Sequence, residues 1–559
     1  EEVRKLRQKS ADLSLFAPKT KRRCASLLQF HAFIERDSIG LEPPTPDPRT
    51  LDMTGEQSTD DRTTDDRDRS ADDESDGPAP TDGLLVVSNR EPYSHSYDGE
   101  EITVDRPVGG LTAGLDPVMQ RAAGTWIAWG DGDADREVVD DEDRVRVPPE
   151  DPAYALKRIW LDDDEIEEYY YGYSNQVLWP LCHSDRGRVT YEPRFWHRYR
   201  EVNERFAEAA SREAESGSLV WFQDYHFGLA PKMVRDRRGD DVTLAHFWHI
   251  PWPTWDDFRV CPQSEQLMEG LLANDLLGFH IDRFCAQFLE GVEACFDDAV
   301  VDWDSGVVYR AGSPTLVKSF PMGVDAERIE RLAGSDEADQ FWSEFREERA
   351  IAEDAIVAVG VDRLDYTKGI PERIRAIEYF LDEHPEYRGE FVYVQKASES
   401  RSEIPAYQEL QQEVSAVAER VNDRFATDDW KPVVSVTEML PAAALYSLYR
   451  HADLALVSSV RDGMNLVAEE YVAAQLENEG ALVLSDFAGV DETLGDYAYT
   501  INPYATEAFA DTIYRTITDS PQEQRNRMRQ MRQLVTAYDL DAWMDDIFET
   551  VAALRDESE

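Results

Sequence analysis

The chain has 559 residues, of which 42% are hydrophobic, and it carries 114 acidic against 58 basic residues. A formal net charge of −56 disfavours binding to nucleic acid or to an anionic membrane. No apolar stretch reaches the roughly 18 residues that a membrane-spanning helix needs. The length exceeds what a single core fills, so two large domains and a tail are expected.

The acidic excess extends into the part of the chain that is predicted to fold, as in DGDADREVVDDEDR (131–144). Repulsion among so many like charges destabilises a fold in dilute buffer, whereas at about 1 M salt the Debye length falls to about 3 Å. This predicts a salt-adapted, halophilic protein; a mesophilic protein with only an acidic tail is the alternative. The five cysteines are scattered without a CxxC pair, which favours free thiols in a cytoplasmic protein and no zinc site.

Residues 1–82 are predicted to be a disordered tail. The stretch 53–82 is polar and acidic and lacks aromatic residues, so it cannot build a core. Residues 1–52 hold four of the ten lysines, and Met53 heads the acidic stretch. We expect translation to begin at Met53, with 1–52 an extension upstream of the true start; a basic targeting arm is the alternative.

From residue 83 onward, short apolar runs alternate with helical patterns of ten or more residues. The runs predicted as buried strands are GLLVVSNR (83–90), SLVWFQDYHFGL (218–229), VTLAHFWHIPW (242–252), DLLGFHI (275–281), AIVAVGVDRLDYTKG (355–369), EFVYVQKA (390–397), PVVSVTEML (432–440), ADLALVSSV (452–460) and ALVLSDFAG (481–489). Helices are predicted at 371–383, 405–425 and 465–477. This alternation predicts an α/β fold with parallel sheets, in two Rossmann-like domains divided near residue 325. Ligands of such domains bind at the carboxyl ends of the strands.

One segment, VVDWDSGVVYRAG (300–312), predicts a hairpin instead of a crossover. Asp302 and Asp304 could be the paired aspartates of an aspartyl-phosphate phosphatase. Ser305 and Gly306, however, lead directly into another strand, which favours a plain turn.

The segment VDRLDYTKGIPER (361–373) ends a predicted strand and places Arg363, Asp365 and Lys368 before a helix that starts near Pro371. Arg and Lys in a strand-to-helix turn form an anion site with the helix N-terminus. The alternative is a surface salt bridge between Lys368 and Asp365.

The segment SVRDGMNLVAEE (459–470) has the same layout. Asp462 can accept hydrogen bonds from sugar hydroxyls, and Glu470, one turn past the helix start, can reach a second diol. The turn between them offers a close approach and outward backbone amides at Gly463, Met464, Asn465 and Leu466. A plain capped helix, with Asn465 as N-cap and Glu469 near its N-terminus, is the alternative, and the pattern leaves both open.

The first domain contributes aromatic and polar candidates. YYYGYSNQVLWPLCH (169–183) is suited to stacking on sugars, or equally to a core aromatic cluster. Asp224 and His249 end two predicted strands. His246 and His249 are three residues apart on a strand and point to opposite faces, so a shared metal is disfavoured.

Nine segments occur in one order over about 84–550: SNR, GGL, YSNQVLWPL, DYH, HIPWP, LLGFH, DRLDYTKGIPER, RDGMNLVAEEYV and VLSDFAG. This set resembles the trehalose-6-phosphate synthase family of retaining glycosyltransferases, and RLDYTKG together with RDGMNLVAEEY is its most specific part. The resemblance implies a GT-B fold, in which two Rossmann-like domains face each other across a cleft. It implies an N-terminal acceptor domain at 83–325, a nucleotide-sugar domain at 326–535, and C-terminal helices at 536–559 that cross back to the first domain.

The resemblance also implies a reaction. Glucose would pass with retention from a nucleotide-glucose, usually UDP-glucose, to glucose 6-phosphate, making α,α-trehalose 6-phosphate. No cofactor and no metal are implied; a separate trehalose-6-phosphate phosphatase is expected, and a homo-oligomer is compatible with the resemblance. The alternatives are a related synthase that uses glycerol 3-phosphate and a catalytically silent sugar-phosphate sensor.

Site residues follow from the resemblance position by position. The catalytic set, with Arg363 and Lys368 on the diphosphate, is His249, Arg363, Lys368 and Asp462. The donor-binding set is Gly110, Gly463, Met464, Asn465, Leu466 and Glu470. The acceptor-binding set is Arg90, Tyr170, Trp179, Asp224 and Arg401. Two residues stand apart: Glu469 is predicted to be one more acid of a salt-adapted surface, and Arg461 receives no role.

Overall fold

The computed structural model describes residues 83–106 and 110–558, so the predictions for the tail at 1–82 lie outside the described residues. The strands of the first lobe are β1 (Leu84–Val87), β2 (Ser94–Asp98), β3 (Glu101–Asp105), β4 (Thr125–Trp129), β5 (Arg144–Val147), β6 (Tyr154–Ile159), β7 (Leu219–Gln223), β8 (Thr243–Phe247), β9 (Leu276–Phe279), β10 (Val300–Asp302), β11 (Val307–Arg310) and β12 (Ser313–Ser319). Across the described residues, ten of them form one sheet in the order β10-β11-β12-β9-β8-β7-β1-β4-β6-β5, and β2 pairs with β3.

Most of the first sheet is parallel, and only its edges are antiparallel. The strands from β12 through β9, β8, β7, β1 and β4 to β6 pair in parallel, as the buried apolar runs predict. The predicted hairpin at 300–312 is confirmed, since β10 pairs antiparallel with β11. The helices that cover this sheet are α1 (Gly110–Ala122), α2 (Asp135–Val138), α3 (Asp163–Glu165), α4 (Trp179–Cys182), α5 (Pro193–Glu213), α6 (Ala230–Arg238), α7 (Trp255–Phe258), α8 (Ser264–Leu271) and α9 (Asp282–Cys295).

The aromatic segment forms a π-helix, Ile166–Leu178, which the sequence does not predict. The side-chain amides of Asn175 and Gln176 donate to the carbonyls of Tyr170 and Tyr171, five residues back, at 2.7 and 3.1 Å. These bonds accompany the wider turn, a conformation that often occurs at functional sites.

The second lobe holds a purely parallel sheet. Its strands are β13 (Ile356–Arg363), β14 (Phe391–Ser398), β15 (Val433–Val436), β16 (Leu454–Val457), β17 (Ala481–Ser485) and β18 (Tyr499–Ile501). Among the described residues their order is β15-β14-β13-β16-β17-β18. This is the 3-2-1-4-5-6 order of a Rossmann domain, whose ligand crevice opens where the order reverses, between β13 and β16. The α/β fold of two Rossmann-like lobes is thereby confirmed.

The helices of this lobe are α10 (Ala326–Ala333), α11 (Asp336–Glu348), α12 (Ile370–Glu383), α13 (Pro405–Phe425), α14 (Ala442–His451), α15 (Leu466–Ala474), α16 (Asp491–Leu494), α17 (Thr506–Thr518) and α18 (Pro521–Ala537), followed by α19 (Leu540–Ser558). Helix α19 packs on the first lobe, where the Trp543 ring lies 5.8 Å from that of Trp221. Arg555 in the same helix donates to the Gly217 carbonyl at 3.0 Å. None of the described helices is long and apolar enough to span a membrane.

Candidate active site

Two turns meet at the reversal point of the second sheet. One follows β13 and carries Asp365 and Lys368; the other follows β16 and carries Asp462. The Lys368 ammonium lies 2.6 Å from Asp462 Oδ2. The alternative of a salt bridge between Lys368 and Asp365 is therefore wrong, because Asp365 is turned inward, where it accepts from Thr367 and Arg401.

Asp462 is held by several donors. Its Oδ2 also accepts from Ser459 Oγ at 3.0 Å and Asn465 Nδ2 at 2.9 Å, and its Oδ1 accepts from the Gly463 amide at 3.0 Å. Burial alone would raise the pKa of Asp462, but Lys368 and the hydrogen bonds lower it to about 2. Asp462 is thus an ionised, fixed acceptor at neutral pH.

The turn after Asp462 is both a helix cap and a point of contact between the lobes. Asn465, at φ +96°, accepts from the Ala468 amide at 3.2 Å, so the predicted N-cap is confirmed. A Cβ added at Gly463 would collide with the carbonyl oxygen of His249 in the first lobe. Glycine is therefore required at this position by close backbone approach. Met464 is buried beside it and Leu466 is half-buried.

Glu470 faces a cavity of about 280 Å³ between the lobes. Its carboxylate accepts from the Tyr449 hydroxyl at 3.1 Å. Burial raises the pKa of Glu470 to about 7, against the lowering effects of Tyr449 and Arg328. The second lobe also lines the cavity with Arg328, Tyr446 and Leu466.

The expectation that Glu469 is a surface acid is wrong. It is 5% exposed, and among the described residues its Oε2 has no hydrogen-bond partner. The pKa of Glu469 is raised well above its ordinary value, mainly by burial and to a smaller extent by the neighbouring Glu470. Glu469 is not at the surface because helix α15 is buried on most of its circumference.

Two arginines converge on Tyr170 from opposite lobes. Arg90, exposed directly after β1, donates from Nη2 to the Tyr170 hydroxyl at 3.3 Å. Arg401 comes from the second lobe. Burial alone would raise the pKa of Tyr170, but Arg401 and Arg90 lower it below its ordinary value. This pair of cations is suited to binding an anion.

Arg401 is enclosed by aromatic groups. Its guanidinium lies 4.0 Å from the Trp179 ring centroid and donates to the hydroxyls of Tyr407 at 2.6 Å and Tyr225 at 3.3 Å. Arg363, exposed at the end of β13, lies 5.7 Å from the same Trp179 ring. The Trp179 ring therefore contacts both Arg363, a candidate for binding the diphosphate, and Arg401, a candidate for binding the acceptor.

Asp224 and His249 end neighbouring strands β7 and β8. Asp224 has φ +69° and accepts from the His249 amide at 3.1 Å. Burial raises the pKa of Asp224 to about 7. The His249 ring lies 2.9 Å from Gln223 Oε1, and burial, with smaller effects of His280 and His246, lowers its pKa well below the ordinary value, so the ring is neutral.

Some predicted residues are not brought into the site by described contacts. Gly110 begins α1 directly after residues 107–109, which lie outside the described residues. Arg461 is half-buried near Asp257, and two of its nitrogens, Nε and Nη2, have no hydrogen-bond partner within the described ranges.

The structure adds residues that sequence reasoning missed. Tyr225 lies inside the quoted DYH segment, which was a usable signal. Three others, Tyr407, Tyr449 and Arg328, lie in helices whose sequence pattern shows only amphipathicity. Their importance comes from contacts in the fold: Tyr407 with Arg401, Tyr449 with Glu470, and Arg328 with the cavity that Glu470 lines.

An acidic cluster beside Arg90 is explained without a metal. Ligand atoms of Glu91, Asp131 and Asp135 lie within 4.8 Å of one another. Arg158 ion-pairs with Asp135 at 2.7 Å and donates from Nε to Glu91 at 2.8 Å; burial and the hydrogen bond with Asp135 raise the pKa of Glu91 to about 10, so Glu91 is protonated. Arg158 therefore already supplies the positive charge that the ionised Asp135 requires.

Comparisons with known proteins agree with this geometry. The family model described as Glycosyltransferase family 20 matches residues 82–553. An alpha,alpha-trehalose-phosphate synthase (UDP-forming) from Botryotinia fuckeliana is 34% identical over 471 residues, covering 83% of this chain and 88% of the relative. The trehalose-6-phosphate synthase of Mycolicibacterium gilvum is 36% identical over 477 residues, covering 84% of this chain and 93% of the relative. A solved E. coli structure bound with UDP-2-fluoro glucose is 29% identical with a TM-score of 0.75, covering 84% of this chain and 98% of that one. A Burkholderia xenovorans synthase in complex with glucose-6-phosphate is 28% identical with a TM-score of 0.75, covering 84% and 100%.

Proposed function

Since the chain belongs to glycosyltransferase family 20, we propose that its cleft transfers glucose, with retention, from UDP-glucose to glucose 6-phosphate. The product is α,α-trehalose 6-phosphate, so the chain is an α,α-trehalose-phosphate synthase (UDP-forming). One observation carries the proposal: in a chain of net charge −56, Arg90 and Arg401 act together on Tyr170, while Arg363 and Lys368 lie in the turn at the end of β13. Each pair suits one of the two anionic substrates.

The donor side is built on the second lobe. Arg363 and Lys368 hold the diphosphate, and the turn from Asp462 to Leu466 holds the glucose. Glu470 accepts from the ribose hydroxyls, because its carboxyl group lines the cavity between the lobes. His249 and Gly463 lie where the lobes touch, at the donor sugar.

The acceptor side is built where the lobes meet at Tyr170. Arg90 and Arg401 hold the phosphate of glucose 6-phosphate, and Trp179 and Asp224 hold its sugar. Arg90 is exposed, so a ligand from solution can reach its guanidinium beside Tyr170. Gly110 is proposed to belong to the loop over the donor.

The transfer step needs little acid–base chemistry from the protein. The bond between the anomeric carbon and the leaving phosphate oxygen breaks, and the acceptor hydroxyl attacks from the same face. The leaving phosphate oxygen takes the acceptor proton, while Arg363 and Lys368 stabilise the negative charge that develops on it. Asp462 is ionised and already hydrogen-bonded, so it orients the sugar without taking a proton.

We further propose that the protein works in a salt-adapted cytoplasm and that its product is the precursor of a compatible solute. The support is the acidic excess through the folded part of the chain, whose self-repulsion concentrated salt screens. A separate phosphatase would then release the free disaccharide.

The function is tested with a panel of substrates. The purified chain is incubated in 2 M KCl with UDP-, GDP- or ADP-glucose, each with glucose 6-phosphate or glycerol 3-phosphate, and nucleotide release is measured. We expect release with UDP-glucose and glucose 6-phosphate. Release with glycerol 3-phosphate alone would favour the related synthase, and no release with any pair would exclude both enzymes.

A further inference from the structure

Asp365 is a buried carboxylate that connects the two anion sites of the cleft. Its relative exposure is 0%, yet it carries out no step of the transfer described above. Each of its two oxygens serves a different site. Oδ1 faces the donor turn, and Oδ2 faces the acceptor arginine.

On the donor side, Oδ1 accepts from the Thr367 amide at 3.0 Å and from Thr367 Oγ1 at 2.9 Å. The backbone carbonyl of Asp365 also accepts from the Lys368 amide at 3.0 Å. These bonds close the short turn Tyr366–Lys368, from which the Lys368 ammonium projects toward Asp462. The position of Lys368 therefore depends on the position of Asp365.

On the acceptor side, Oδ2 accepts from Arg401 Nη1 at 3.1 Å and from the Tyr407 hydroxyl at 3.1 Å. The Arg401 backbone has φ +49°, a left-handed conformation that a non-glycine residue keeps only when its surroundings hold it there. Its guanidinium is then aimed past Trp179 toward Tyr170. Asp365 is thus part of what holds Arg401 in the acceptor site.

The charges favour this connection. Burial alone would raise the pKa of Asp365, but Arg401, Arg363 and the Thr367 amide lower it below its ordinary value, so the carboxylate stays ionised. A buried carboxylate shared between two groups restrains both: moving Arg401 would leave a buried charge unpaired, and moving Thr367 would leave Oδ1 without its hydrogen bonds.

We propose that Asp365 is a positioning residue that couples the two substrate sites, so that a phosphate bound at Arg401 strengthens binding of the donor nucleotide at the Lys368 turn. The proposal rests on the proposed function of the cleft. An anion that orders Arg401 also orders Asp365 and the donor turn, so the second ligand finds its site already formed. The coupling is reciprocal, as any equilibrium coupling must be.

The test measures the affinity for UDP by calorimetry in 2 M KCl, without and with saturating glucose 6-phosphate. In the unaltered chain we expect glucose 6-phosphate to strengthen UDP binding at least about tenfold, within the usual range of coupling factors. In Asp365→Asn the factor should fall below about threefold. Thr367→Val removes only the hydroxyl bond on the donor side; it should lower the factor as well and remains informative if Asp365→Asn does not fold.

The matched control is Asp362→Asn. Asp362 is also buried and ion-paired, with Arg373 at 2.7 Å, and Arg373 in turn donates to the Lys368 carbonyl at 3.4 Å. This control perturbs the donor turn alone, so UDP binding should weaken while the coupling factor stays as in the unaltered chain. The proposal would be overturned, even if the enzyme makes its product, if glucose 6-phosphate does not strengthen UDP binding in the unaltered chain. It would also be overturned if the coupling factor is the same in Asp365→Asn as in the unaltered chain. Absence of any nucleotide release would instead overturn the proposed function.

Discussion

Individual charges in the cleft are paired before any ligand arrives. Lys368 forms an ion pair with Asp462, and Arg401 forms one with Asp365. In this acidic chain, two of the four proposed substrate-binding cations are thus held by a fixed carboxylate. These ion pairs hold Lys368 and Arg401 near their binding positions, and a bound anion restrains them further.

Lys368→Ala is expected to lower kcat/KM at least about tenfold, because a lost charge-assisted contact to the leaving group costs more than about 1.4 kcal/mol. Steady-state kinetics with UDP-glucose and glucose 6-phosphate measure the loss. Lys431→Ala, which alters an exposed lysine of the same lobe, is the control and should leave kcat/KM unchanged. Near-normal turnover of Lys368→Ala would place the diphosphate elsewhere.

Glu470 predicts a pH dependence of donor binding. Its pKa is raised from 4.5 to about 7, so the carboxyl group is largely protonated at pH 6 and largely ionised at pH 8. The ionised form is the stronger acceptor for ribose hydroxyls, and the affinity for UDP should therefore rise between pH 6 and pH 8.

Calorimetry with UDP alone measures this dependence without a contribution from acceptor binding at Asp224, whose pKa is also about 7. Tyr449→Phe removes a hydrogen bond to the carboxylate and should move the midpoint to higher pH. Glu470→Gln should abolish the part of the rise in UDP affinity between pH 6 and pH 8 that is due to Glu470. A rise that Glu470→Gln leaves intact would show that another group titrates.

At the scale of elements, the site lies where the two sheets present the ends of their strands to each other. Helix α15 follows the turn that touches the first lobe, and Gly463 in that turn has no room for a side chain. The distance between the lobes is therefore set partly by a single backbone contact.

Gly463→Ala is expected to lower kcat/KM at least about 100-fold. The new Cβ would collide with the His249 carbonyl oxygen, so the donor turn must move away from the first lobe, and a displacement of about 1 Å can cost about 100-fold in rate. Gly187→Ala is the matched control: it lies in the first lobe, and a Cβ there meets only an Asp185 oxygen at 3.5 Å. Comparable activity of the two variants would mean that the lobes do not close on this contact.

How far the sequence predicts these elements depends on the range of the interactions. Apolar runs of four to nine residues predict β13, β14, β16 and β17, because burial on both faces of a parallel sheet leaves a purely local pattern. The helix at 405–425 is found with the predicted bounds. The exposed hairpin of β2 and β3 and the π-helix have no such pattern, and neither was predicted.

The site shows the same division. The turns that carry Lys368 and Asp462 are visible as polar residues after strands. The pairing of Asp365 with Arg401 joins residues 36 apart in sequence, and neither position has a local feature that selects that partner. Glu469 was misplaced on the surface because acids are so common in this chain that one more carried no signal.

At the scale of the whole molecule, a net charge of −56 makes stability depend on salt. At 0.1 M salt the Debye length is about 10 Å, so surface carboxylates repel one another, whereas at 1 M it is about 3 Å. The midpoint of thermal unfolding should therefore rise steeply between 0.1 M and 2 M KCl. Circular dichroism measures it, with an equal concentration of sucrose as a control for effects of excluded solute. A midpoint that does not rise, or that rises only as much as in sucrose, would contradict salt adaptation.

The most direct measurement is the structure of the product. The purified chain is incubated with UDP-glucose and glucose 6-phosphate in 2 M KCl, and the sugar product is identified by NMR. We predict a disaccharide phosphate in which both anomeric centres are α, formed in equal amount with UDP. A β-configured product, or UDP release without a disaccharide phosphate, would contradict a retaining synthesis of α,α-trehalose 6-phosphate.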